Sequence, residues 1–101
     1  MAIGRVRGLG PSLAASGLNG VLSDPILQLR DSNGAQVAGN NDWMDYPPQA
    51  EELIALGLAP NDPRESGIVK TLAPGAYTAL LSGVGNGTGI GLVEVYDVGT
   101  Q

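Results

Sequence analysis

Asp24-Pro25-Ile26-Leu27-Gln28-Leu29-Arg30-Asp31-Ser32-Asn33-Gly34-Ala35-Gln36-Val37-Ala38-Gly39 is the stretch that decides the fold. Pro25 to Asp31 reads as a strand, with Ile26 on the opposite face from Leu27 and Leu29. Asn33-Gly34 is a strong short hairpin signal, because both residues accept φ > 0. Ala35 to Gly39 is then the return strand. Hairpin chemistry accounts for Asp31-Ser32-Asn33-Gly34 without a metal, although it superficially opens like a calcium loop.

Toward the N-terminus, Ala2 to Gly8 alternates weakly and reads as a strand. Gly8-Leu9-Gly10-Pro11-Ser12 stops it, and Leu13 to Leu22 reads as loop or irregular strand. Toward the C-terminus, Pro47-Pro48 precludes ladder pairing. Gln49 to Leu56 holds good helix formers with apolar Leu53, Ile54 and Leu56, and Gly57 is placed to end the helix. Three strands follow, over 65–72, 77–84 and 90–98. Ala73-Pro74-Gly75-Ala76 reads as a type II turn, and Gly85-Asn86-Gly87-Thr88-Gly89 as a hairpin loop. The expectation is a single all-β domain over 2–98: an antiparallel β-sandwich, jelly-roll-like, with one short helix near 49–56.

Composition agrees. The 101 residues suit one domain. Sixteen glycines and seven prolines provide many turns, and Phe is absent, so the core must be aliphatic. There is no run of eighteen apolar residues, which argues against membrane insertion. A net charge of −5 argues against nucleic acid, whose affinity comes from phosphate neutralisation. Cysteine and histidine are both absent. That removes disulfides, thiolate catalysis, Ser-His-Asp arrangements and most transition-metal sites. Glu51-Glu52 and Asp62/Glu65 are carboxylate pairs of the kind glycosidases use, but adjacent helical residues point to different faces, so Glu51 and Glu52 are a poor dyad, and Gly83 to Gly91 lacks the Lys of a P-loop. The chain reads as non-enzymatic.

Two sets of residues resemble a known pattern. One is Asp24 to Gly34 with Asn40-Asn41-Asp42-Trp43. The other is Arg64 to Val69, Leu72-Ala73-Pro74-Gly75-Ala76-Tyr77 and Gly91 to Asp97. They resemble β-sandwich modules of large bacterial surface and secreted proteins and, more distantly, the bacterial pre-peptidase C-terminal domain. The resemblance implies an extracellular or cell-surface location, with any export signal outside this sequence. It implies a non-catalytic module for binding, spacing or assembly. Some domains of that family bind calcium.

The candidate chemistry lies between the hairpin and the helix. Asn40, Asn41, Asp42 and Asp45 form a cluster of oxygen ligands suited to calcium, with Asp24 and Glu65 as more distant contributors. Turn capping by the same side chains is the simpler alternative. Trp43 and Tyr46 could stack on a sugar ring, or plug the end of an aliphatic sandwich. The expected partners are copies of the chain itself, as a homo-oligomer, or neighbouring modules of the same surface protein. The expected means is exposed strand edges.

Overall fold

The computed structural model describes residues 2–73 and 75–100. Six strands form: β1 (Ala2–Leu9), β2 (Pro25–Asp31), β3 (Gln36–Asn40), β4 (Ser66–Leu72), β5 (Tyr77–Gly83) and β6 (Leu92–Thr100). One helix, α1 (Pro47–Ala55), lies between β3 and β4. The strands make two antiparallel three-stranded sheets, ordered β4-β1-β6 and β3-β2-β5. The fold is an all-β sandwich with one short helix.

The core follows from alternation. Leu27 and Leu29 point inward from β2 and meet Val6 and Ile68 of the other sheet, all fully or nearly buried. Burying one such aliphatic side chain contributes about 2 kcal/mol. Gln28 and Arg30 alternate outward, and Arg30 donates to Gln28 Oε1 at 2.9 Å. A second cluster joins Trp43 to Ala50 and Leu53 on the outside of β4. Gly67 makes that approach possible, because a Cβ there would sit 2.6 Å from Leu53 Cδ1.

Several local readings need correction. Only β2 and β3 are sequential neighbours in one sheet. The Gly85–Gly89 segment is therefore not a hairpin loop; it carries the chain from β5 in one sheet to β6 in the other. The glycines suit either geometry, so composition did not separate them. Pro74 of the expected type II turn lies outside the described residues. Within Leu13 to Leu22, read as loop or irregular strand, the residues up to Ser16 belong to a 3₁₀ turn that starts at Pro11.

The β2–β3 turn is also built differently from a two-residue Asn-Gly turn. Gly34 has φ 84°, but Asn33 does not take a positive φ. Instead the Asp31 carboxylate accepts the N–H groups of Asn33 (2.9 Å) and Ala35 (3.0 Å). This is an Asx-type closure. Pro47 and Pro48 start the helix instead of lying before it, since proline's fixed φ suits the first helical turn. The helix ends where expected: Gly57 takes φ 71°, and Leu58 N donates to Leu53 O at 2.9 Å. Its inner face is Ala50 and Leu53, while Ile54 and Leu56 are exposed.

One carboxylate ties these pieces together. Glu65 is completely buried. Its Oε2 accepts Gly10 N at 2.8 Å, Ser12 N at 3.0 Å and Ser12 Oγ at 2.6 Å, and its Oε1 accepts Asp62 N at 3.2 Å. Its own carbonyl accepts Trp43 N at 2.8 Å. The adjacent Ser66 Oγ lies 2.8 Å from Pro25 O and 2.7 Å from Asn41 O. Glu65→Gln keeps the shape but turns one acceptor into a donor facing N–H groups. The expected loss is about 3 kcal/mol, on the order of 15 °C in Tm by circular dichroism. A Tm within a few degrees of the parent would remove Glu65 from this role.

Candidate functional site

The segment 40–46 leaves β3 and runs toward α1, and its polar side chains divide into two groups. Asn40 is used up structurally. Its Oδ1 accepts Gly67 N at 2.9 Å and its Nδ2 donates to Asp42 O at 3.1 Å, which clamps β3 to β4. Asn41 and Asp42 are different. Asn41 Oδ1, Asp42 Oδ1 and Asp24 Oδ1 are each buried without a hydrogen-bond partner among the described residues. Burial pushes the Asp42 carboxyl above the usual carboxylate range, and the charges of Asp45 and Asp24 add to the shift. Asp45 itself is exposed, and its N–H donates to Asp42 O at 3.0 Å.

Buried acceptors with no donor are costly to leave unmatched. They suit a hard cation, which binds carboxylate and amide oxygens together. Asp24 and Asp45 lie near enough to Asp42 for their charges to be felt at its carboxyl, and Asp45 is on the solvent side. Among the described residues, no group of three or more carboxylates is arranged to hold a metal by itself. Any such site would have to draw on the amide of Asn41 as well. Glu65 does not contribute, because both its oxygens already accept backbone N–H groups. Asp62 is held below the usual carboxylate range by hydrogen bonds from Arg64, whose Nε lies 3.0 Å from Asp62 Oδ1.

The aromatic pair separates. Trp43 is 8% exposed and packs against Ala50 and Leu53, whereas Tyr46 is open to solvent at the start of α1. The two rings do not form a joint platform.

The other region of interest is the two flanks of the sandwich. On the β3/β4 flank the free edge of β4 is capped by side-chain amides. Gln49 Nε2 donates to Gly67 O at 3.0 Å, and Gln49 Oε1 accepts Val69 N at 2.9 Å. Gln49 thus imitates a neighbouring strand, and Asn40 supplies the next acceptor. The β5/β6 flank is open. Val95 lies opposite Val6 and faces inward, yet it is 65% exposed. An apolar cleft of about 270 Å³ opens there, lined by Val6, Leu29, Leu72, Tyr77, Ala79 and Val95 among others. On the outside of β6, Arg7 forms an ion pair with Glu94 and lies 5.8 Å from the Tyr96 ring centre. Sequence reasoning placed β5 and β6 as hairpin partners and so did not foresee this opening.

The cluster yields a test. In chelator, Asp42 carries its charge at a cost. The fold therefore loses the Asp42 contribution as pH rises through its raised titration range and keeps it below the ordinary carboxylate range. Asp42→Asn is expected to raise Tm by a few degrees in chelator at pH 7 and to abolish any rise produced by calcium. An Asp42→Asn protein less stable than the parent in chelator would show that the carboxylate is structurally required instead.

Compared with protein-family models, curated proteins and solved structures, the chain matches none.

Proposed function

We propose that this chain is a non-catalytic structural and assembly module of a bacterial extracellular or cell-surface protein, and that it self-associates through strand edges. The asymmetry of the two flanks supports this most directly. On one flank Gln49, carried by α1, and Asn40 occupy the outer edge of β4. The other exposes Val95 and an apolar cleft beside two strands with no strand neighbour on their outer sides among the described residues. Unpaired edges beside exposed apolar surface are the usual template for strand addition. The absence of His and Cys from the sequence supports the non-catalytic part, and the resemblance to bacterial surface modules is the ground for the location.

A second reading, a calcium-binding accessory module, draws on a separate observation: the partnerless oxygens of Asp24, Asn41 and Asp42. It is compatible with the first, because this cluster lies by the sealed flank. A glycan-binding version has only the exposed Tyr46 in its favour.

Light scattering after size exclusion, across a wide concentration range in calcium and in chelator, tests the assembly reading. The expected result is a concentration-dependent dimer or larger species in both conditions. A monomer at every concentration overturns it. A calcium-dependent rise in Tm without any change in mass would favour the second reading.

A further inference from the structure

We infer that, within the self-association proposed above, β5 is the strand that pairs, and that its partner is β5 of a second copy. In antiparallel register centred on Leu80, the pair would join two three-stranded sheets into one continuous sheet.

The four edge strands differ in how they are protected. Natural edges are blunted by charge, short length, irregular register or side-chain cover. The β4 edge is covered by Gln49 and Asn40 and carries Lys70. The β3 strand has five residues, an irregular register against β2 and an end held by Asn40. The β6 strand carries Glu94. The seven residues of β5, Tyr77-Thr78-Ala79-Leu80-Leu81-Ser82-Gly83, include no charge and no proline. Among the described residues their backbone hydrogen bonds go to β2 alone.

Charge decides why the partner is a second copy. In a two-fold symmetric contact, each side chain meets its own patch on the other molecule. A charged edge would set like charges against each other, and like charges directly opposite are destabilising. An uncharged strand carries no such penalty. Full overlap of seven residues in antiparallel pairing sets Leu80 opposite Leu80, Thr78 opposite Ser82, and Ala79 opposite Leu81. Leu80 points outward opposite Gln28 and is 43% exposed, so the contact would cover an apolar side chain now facing water. Thr78 and Ser82 on the same face supply a polar cross-strand pair.

The protein has no cysteine, so single substitutions are unambiguous probes. Directly opposed residues in an antiparallel pair lie about 4.5–5.5 Å apart, within disulfide reach. Leu80→Cys is expected to form a disulfide-linked dimer on mild oxidation. Thr78→Cys should not link to itself, since the two copies of residue 78 would be roughly 13 Å apart along the strand. It should link when mixed with Ser82→Cys. Leu80→Lys should weaken dimerisation at least tenfold while leaving the far-ultraviolet spectrum unchanged. If the parent dimerises but Leu80→Lys dimerises equally well, the β5 contact is wrong and the wider assembly reading stands. Thr78→Cys linking to itself as readily as Leu80→Cys would overturn the register. If Leu80→Lys fails to fold, the cysteine pairs decide: no link at residue 80 in a dimeric protein overturns the contact. A parent that is monomeric at all concentrations overturns both this contact and the assembly reading.

Discussion

The fold depends on a carboxylate that meets no solvent. Glu65 gathers four hydrogen bonds, three from N–H groups and one from the Ser12 hydroxyl, which lets the chain after β1 turn away from its sheet without leaving donors unmatched. Charge-assisted bonds of this kind are stronger than neutral ones, and each buried donor left open would cost more than it gains elsewhere. Through Trp43 and Ser66, the same short segment also fixes where β2 and the segment after β3 sit relative to β4. The aliphatic core is generic by comparison. Leu27, Leu29, Val6 and Ile68 would fill the space between many pairs of sheets; the Glu65–Ser66 node selects this one.

Much of the architecture was legible because period-two alternation is a local signal. Leu27 and Leu29 identified β2 directly, and Gly57 marked the end of the helix. Connectivity was not legible. Gly85–Gly89 has the same composition whether it turns back within a sheet or crosses to the other one. Pro47-Pro48 reads equally well as a strand breaker and as a helix start. The site was legible only in part. Segment 40–46 stood out by composition, but nothing local distinguishes Asn40, whose amide clamps two strands, from Asn41, whose Oδ1 has no partner. That difference is set by Gly67, 27 residues away along the chain from Asn40. The role of Glu65 was missed for the same reason: its partners Gly10 and Ser12 lie 55 and 53 residues away.

The sealed and open flanks show two treatments of one physical problem. A strand at the margin of a sheet presents unpaired backbone groups, and a glutamine amide has the same donor and acceptor as a peptide unit. Gln49 uses that equivalence to give β4 a partner without a seventh strand. The helix bearing Gln49 is anchored by Leu53 over Gly67, so the cap is held by packing as well as by its own two bonds. Among the described residues no comparable element lies along β5.

The order of strands within the first sheet also bears on how the molecule acquires its shape. Its middle strand is the first in the chain, and the strands on either side of it are the fourth and the last. Ala2 pairs with Leu72 on one side and with Thr100 on the other. Almost every contact in that sheet therefore closes a long loop, and loop closure must precede the reward of pairing. Only the β2–β3 hairpin can form early and alone. Each strand flanking β1 is remote from it in sequence, so this sheet is completed late relative to the local β2–β3 pairing.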